Sequence, residues 1–254
     1  MTSFKPSVVV FYMTVKDKVV IVTGASSGIG LATARLLTQR GASVALVARS
    51  VDKLIELSRE LPNSFVAPAD MSQEKDIKKM VREVLKHYGR VDVLVNCAGQ
   101  GYDAPLEYID IVKYRQLFEL DVVGPLVAMQ AVIPVMRRQG GGTIVNISSG
   151  ASLMNLPNMS PYSSVKRALN ALTLTAHEEL KEDNIVVSVV YPYMTLTDFE
   201  ERTIKDGPDT QYEEGGDSAL RPPDSAEFMA ERVLEAVTTG QPEQFAHEWM
   251  KGLH

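Results

Sequence analysis

The stretch KVVIVTGASSGIGLATARLL, residues 18–37, decides the fold. Its β-branched run Val19 to Thr23 reads as a buried strand, and the pattern from Leu31 to Arg40 reads as a helix that stops at Gly41. Between them lies a turn carrying Gly24, Ser26, Ser27, Gly28, Ile29 and Gly30. Glycine there lets the backbone turn tightly and approach a pyrophosphate, which the positive end of the following helix dipole also favours. The spacing departs from the common GxGxxG fingerprint. Its place in a strand–turn–helix unit is what gives it meaning.

Working outward, short apolar runs keep alternating with helical patterns, the mark of a parallel sheet covered by helices. Further strands are expected at Ser43 to Ala48, Phe65 to Pro68, Val91 to Asn96, Gly142 to Ser148, Ile185 to Tyr191 and Glu243 to Ala246. Helices are expected over Gln73 to His87, from about Leu106 to Gln139, from Ser160 onward, and over Ala226 to Thr239. The prediction is an α/β protein with one doubly wound parallel sheet of about seven strands and helices on both faces. Residues 16–254 form the single domain and residues 1–15 an N-terminal extension. The glycine-containing, acidic stretch at about 194–223 lacks periodicity and reads as a substrate lid. Near the C-terminus, Phe245, Trp249 and Leu253 form a spaced apolar stripe expected in the core or at a subunit contact.

The 254 residues carry 45% hydrophobic and 23% charged side chains, enough for a sizeable core. A formal charge of −6 argues against a nucleic-acid or anionic-membrane surface. The single cysteine, Cys97, excludes an internal disulfide, and no Cys/His cluster has metal-ligand spacing, so no metal is expected. Ser7 to Met13 is apolar but too short to span a bilayer and lacks the flanks of a signal peptide. A cytoplasmic location follows as the expectation.

Two segments carry candidate chemistry. In SPYSSVK, Tyr162 and Lys166 stand four apart at a helix start and share one face. A free phenol titrates near 10 and needs a neighbouring cation to work at neutral pH. Lowering it by about three units takes roughly 4 kcal/mol, which Lys166 and an oxidised nicotinamide together can supply. Ser149 ends the run GGGTIVNISS, at the carboxyl end of a strand, where α/β proteins bind ligands. Each fragment alone is ordinary; their order behind a phosphate turn is not. The second strand ends in Arg49 where NAD-binding proteins place an acid, so a guanidinium awaits a 2′-phosphate and NADP(H) is the expected cofactor.

With these motifs, together with Asp70 after the third strand and NCAG at Asn96 to Gly99, the chain resembles the short-chain dehydrogenase/reductase family from Lys16 to about Pro242. The resemblance implies a Rossmann-type fold in which Tyr162 transfers the proton, Ser149 orients the substrate oxygen, and Lys166 lowers the tyrosine pKa and holds the nicotinamide ribose. It implies that Asp70 and Met71 border the adenine, that Asn96 and Gly99 border the ribose side, and that Pro192, Thr195 and Thr197 lie near the carboxamide. Family members commonly form dimers or tetramers through their two long helices, so a homodimer or homotetramer is expected.

Three residues depart from the family. Its catalytic asparagine appears as Asp121, whose charge would favour the Lys166 ammonium and oppose a Tyr162 phenolate. Pro125 has no N–H for the Asp121 carbonyl, which leaves that oxygen free to accept from water. Its Pro-Gly appears as Pro192-Tyr193, making Tyr193 a specificity candidate that narrows the substrate wall with Met154 and Met159. Cys97, where a second asparagine is common, reads as a small buried thiol. Leu153, Leu156, Met194 and Phe199 complete a mainly nonpolar wall. The expected activity is hydride transfer between NADP(H) and a mainly apolar ketone, aldehyde or secondary alcohol. The alternatives are a 3-oxoacyl carrier-protein reductase, disfavoured by the acidic lid, and a cofactor-binding sensor or scaffold that has lost turnover.

Overall fold

The computed structural model describes residues 13–208 and 221–253. Most of the expected N-terminal extension and the middle of the expected lid therefore lie outside the described residues. In chain order the elements are β1 (Val19–Thr23), α1 (Gly28–Gln39), β2 (Ser43–Val47), α2 (Val51–Glu60), β3 (Ser64–Val66), α3 (Glu74–Tyr88), β4 (Val93–Asn96) and β5 (Tyr102–Asp103). There follow α4 (Ile111–Phe118), α5 (Gly124–Gln139), β6 (Gly142–Ile147), α6 (Ser160–Glu179), β7 (Ile185–Tyr191), β8 (Ile204–Lys205), α7 (Ala226–Thr239) and β9 (Glu243–Phe245).

Seven strands pair in parallel in the order β3-β2-β1-β4-β6-β7-β9. A parallel sheet covered on both faces needs strands that are apolar throughout, and β1, β4 and β6 are buried along nearly their whole length. Two buried clusters flank the sheet. One joins α1, α2, α7 and the C-terminal segment; the other joins α3 and α5. The order turns back on itself beside β1 and β4, which is where doubly wound sheets open a crevice at their carboxyl edge.

Helix α2 was not anticipated, although Leu54 and Leu57 give it a buried stripe. The long helix expected from Leu106 begins instead at Ile111, behind a short 3₁₀ turn at Leu106–Tyr108. Asp110 caps it, accepting from the N–H groups of Val112 and Lys113. The helix then widens to a π-turn over Glu119–Val123, where the Gly124 N–H reaches back to the Glu119 carbonyl. Pro125 follows and contributes no N–H, so the loosened turn falls beside Asp121. Ile111–Gln139 is apolar enough to span a bilayer by length and composition, yet half of its most apolar window is buried inside the domain. Trp249 and Leu253 pack on the core, and Phe245 stacks on Tyr191 with ring centroids 4.8 Å apart, so the spaced stripe is core.

Candidate active site

The glycine turn is built to exclude side chains. Gly24 has a φ of +70°, and a Cβ there would lie 3.0 Å from the Ala98 nitrogen. At Gly30 it would lie 2.4 Å from the Gly24 carbonyl oxygen. The Thr23 hydroxyl accepts from the N–H groups of both Cys97 and Ala98 at 3.0 Å, which clamps the NCAG turn against β1. The side chain of Ser27 caps no N–H at the start of α1, so the amides of that first turn have no side-chain cap. Thr197 closes the far side, within 3.2 Å of a Cβ built on Gly28.

Ser149, Tyr162, Lys166 and Asp121 come together at the carboxyl ends of β4 and β6. Ser149 accepts from the Ala151 N–H at 3.1 Å, and its hydroxyl acts to lower the Tyr162 phenol. Tyr162, only 6% exposed, has its ring 5.9 Å from that of Phe199. The Lys166 Nζ lies 5.8 Å over the Tyr162 ring, donates to the Ile147 carbonyl at 3.0 Å, and pairs with Asp121 at 3.0 Å. Asp121 is fully buried and also accepts from the Gln100 N–H at 3.2 Å. A Cβ on Gly99 would meet that carboxylate at 3.0 Å and the ammonium at 3.4 Å. Gly99 therefore makes room for the ion pair.

The electrostatics follow from burial. Burial raises the Tyr162 phenol above its ordinary value; the Lys166 ammonium and Ser149 pull it down, but Asp121 and Asp103 push with burial. Sequence reasoning expected Lys166 to lower the phenol, and that pull is present but outweighed. Burial works to lower the Lys166 ammonium, yet the Asp121 carboxylate holds it above its ordinary value. Burial likewise raises the Asp121 carboxyl, against Lys166 and the Gln100 N–H. The Cys97 thiol is pushed up to about 12 by burial, which leaves no thiolate at neutral pH.

The sequence profile of the short chain dehydrogenase family matches residues 18–207. An uncharacterized oxidoreductase of Staphylococcus epidermidis is 32% identical over 225 residues, covering 88% of this chain and 92% of the relative. The chain belongs to the short-chain dehydrogenase family. Among solved structures, a short-chain dehydrogenase from Streptomyces avermitilis superposes with a TM-score of 0.84 at 30% identity, over 95% of this chain and 92% of the other. An alcohol dehydrogenase from Thermococcus sibiricus, complexed with 5-hydroxy-NADP, superposes with a TM-score of 0.78 at 27% identity, over 91% and 95%.

In this short-chain dehydrogenase the remaining predicted positions fall unevenly. Arg49 is exposed at the end of β2. Burial works to raise the nearby Asp70 carboxyl, but two bonds from Ser72 and the Arg49 charge hold it below its ordinary value. The Met71 carbonyl sits against Gly124, where a Cβ would come within 2.1 Å of its oxygen. Asn96 is buried and turns its side chain into the sheet, donating to Asn146 at 2.8 Å. Pro192 accepts from the Gly150 N–H at 2.7 Å, and Thr195 donates to the Tyr193 carbonyl at 2.8 Å. Tyr193, expected on the substrate wall, instead packs its ring on the C-terminal segment, 5.4 Å from Trp249 and 6.1 Å from His247. The aromatic tail draws it there. Met154 and Met159 are half-buried on the loop before α6, which Arg167 ties down through the Ser152 and Met154 carbonyls.

Sequence reasoning missed Arg167, Asp103 and the His247–Asp224 pair. The segment expected to open the lid pairs through β8 with β5, and its Phe199 reaches Tyr162. Asp224 meets the start of that segment: its N–H donates to the Met194 carbonyl at 2.8 Å and its carbonyl accepts from the Leu196 N–H at 2.9 Å. No motif signals such contacts, because they join segments far apart in the chain. No group of metal-ligating side chains is assembled among the described residues.

Proposed function

We propose that this oxidoreductase moves a hydride between NADP(H) and a carbonyl or secondary alcohol, with Tyr162 as the proton donor in reduction and the acceptor in oxidation. The observation that carries the reading is a buried phenol under an ammonium, with the Ser149 hydroxyl acting to lower it, beside a glycine turn that a Cβ would fill. The residues fit a nicotinamide dinucleotide. Gly24, Gly28, Gly30 and the α1 N-terminus would hold the pyrophosphate, and Arg49 the 2′-phosphate. Lys166 would hold the ribose, and Thr195 and Thr197 would flank the carboxamide. When bound, the nicotinamide supplies or accepts the hydride. The alcohol dehydrogenase with 5-hydroxy-NADP supports a phosphorylated cofactor.

Ser149 would hold the substrate oxygen, Tyr162 would exchange the proton with it, and the mainly apolar wall of Met154, Met159 and Phe199 would exclude water. The test is NADPH oxidation with a panel of ketones and aldehydes beside Tyr162→Phe. Loss of the phenolic proton is expected to lower turnover by about 10²–10⁴-fold with NADPH affinity retained; an unchanged rate refutes the assignment. The Asp121–Lys166 ion pair favours a second reading, a cofactor-binding protein with little turnover. Tight NADPH binding without turnover on any substrate would establish that one.

A further inference from the structure

One buried ion pair stands between the glycine turn and Tyr162. A Cβ on Gly24 would lie 3.0 Å from the Ala98 nitrogen. The next residue, Gly99, faces the pair, and a Cβ there would lie 3.0 Å from Asp121 Oδ2 and 3.4 Å from Lys166 Nζ. Lys166 Nζ is in turn 5.8 Å from the centre of the Tyr162 ring. Contacts therefore run from the phosphate turn through Gly99 to the two charges and on to the phenol. Both charges are shut off from water: Asp121 is fully buried and Lys166 is 4% exposed. Asp121 Oδ1 accepts from the Gln100 N–H at 3.2 Å, Oδ2 lies 3.0 Å from Lys166 Nζ, and that ammonium donates to the Ile147 carbonyl at 3.0 Å.

With a neutral side chain at position 121, the Lys166 ammonium would stand as a net positive charge beside the crevice; with Asp121 the pair is neutral. Buried charges are screened little, so this difference reaches a ligand bound next to them. It matters most for a ligand whose own charge changes. The oxidised nicotinamide ring is a cation and the reduced ring is neutral, while the rest of the dinucleotide is the same in both. We propose that Asp121 sets the selectivity of the crevice between the two oxidation states of its cofactor: by cancelling the Lys166 charge, the carboxylate strengthens binding of the oxidised nucleotide and leaves the reduced one nearly unaffected. This rests on the nicotinamide reading of the site and deepens it. Its consequence is that the oxidised nucleotide saturates the protein at a lower concentration and leaves it more slowly.

The experiment titrates NADP⁺, NADPH, NAD⁺ and NADH by calorimetry into the wild type, Asp121→Asn and Asp121→Ala, with no substrate present. Asp121 lies at most about 9 Å from the Tyr162 ring, which sets the scale of the site. At that range, with an effective dielectric of about 20, one unit charge changes a binding ratio by roughly ten- to thirtyfold. The ratio Kd(NADP⁺)/Kd(NADPH) is expected to rise by that factor in Asp121→Asn, through weaker NADP⁺ binding. Asp121→Ala removes the same charge without the amide and should move the ratio in the same direction, so the result does not depend on one variant folding. The control is 2′,5′-ADP, which carries phosphates but no nicotinamide and should bind all three proteins alike. Loss of 2′,5′-ADP binding with an unchanged ratio would assign Asp121 to structure alone and overturn the proposal. A ratio unchanged in both variants, or one that falls, overturns it too. The cofactor assignment fails separately: if NAD⁺ and NADH bind more tightly than the phosphorylated pair, the same shift should appear in their ratio. Failure of all four nucleotides to bind the wild type refutes both the nicotinamide reading and this one.

Discussion

Replacing Asp121 with asparagine removes one charge from a fully buried position and leaves the side-chain shape nearly unchanged. With an effective dielectric of about 20, unit charges r Å apart interact by about 332/(20r) kcal/mol. Taking the 5.8 Å between the Lys166 Nζ and the Tyr162 ring as the scale, the ammonium favours the phenolate by about 3 kcal/mol, about two pH units. Asp121 lies 3.0 Å from that ammonium, so at most about 9 Å from the ring it opposes the phenolate by about 2 kcal/mol, or roughly one to one and a half pH units. The sign is fixed by charge: a carboxylate raises the phenol, and its removal lowers it. In the proposed reaction the phenolate is the base in alcohol oxidation, so the acidic limb of kcat/KM should move down by about one pH unit in Asp121→Asn. The alkaline limb of carbonyl reduction should move down with it. The assay is the pH dependence of both directions with NADP⁺ and NADPH. Superimposable profiles would show that the carboxylate charge does not reach the phenol, and a shift to higher pH would refute the reasoning outright. Leaving a buried ammonium wholly unpaired costs about 3–5 kcal/mol. The loss should be smaller here, because the Ile147 carbonyl and the new amide oxygen still accept from Lys166.

Arg49→Ala should lower kcat/KM for NADPH by about ten- to a hundredfold, the value of a charge-assisted bond, and leave NADH nearly unaffected; an equal loss with both cofactors would remove Arg49 from the 2′-phosphate. Gly30→Ala puts a methyl 2.4 Å from the Gly24 oxygen, so the turn must shift. A loss of at least 1–3 kcal/mol is expected, read as about 2–4 °C in Tm per kcal/mol, together with weakened NADPH binding. His247 donates to the Asp224 carboxylate at 3.0 Å, stacks on Phe228, and so ties the C-terminal segment through Asp224 to the backbone at Met194 and Leu196. His247→Ala should raise KM more than it lowers kcat, and a change confined to Tm would show that the pair serves stability alone.

What the chain declares locally it declares well. The strand–glycine–helix unit at residues 18–37, the four-residue spacing of Tyr162 and Lys166, and the disturbed helix before Pro125 all depend on backbone conformation within a turn or two. They are legible because glycine, proline and periodicity act over that range. Helix α2 escaped because its stripe is only two buried leucines long. Assignment to the family needed the motifs together, since each alone is common.

Tertiary structure alone decided where the charges go. Asp121 could have sat harmlessly on its helix; the π-turn and the space at Gly99 bring its carboxylate onto Lys166 instead. Tyr193 read as a wall residue because glycine usually stands there, but its ring follows the aromatic tail, whose position depends on β9 joining the sheet edge beside β7. Periodicity tells which face of an element is buried; it does not tell which polar group from another element shares that burial. In a low-dielectric site that second fact sets the pKa values, and through them the chemistry.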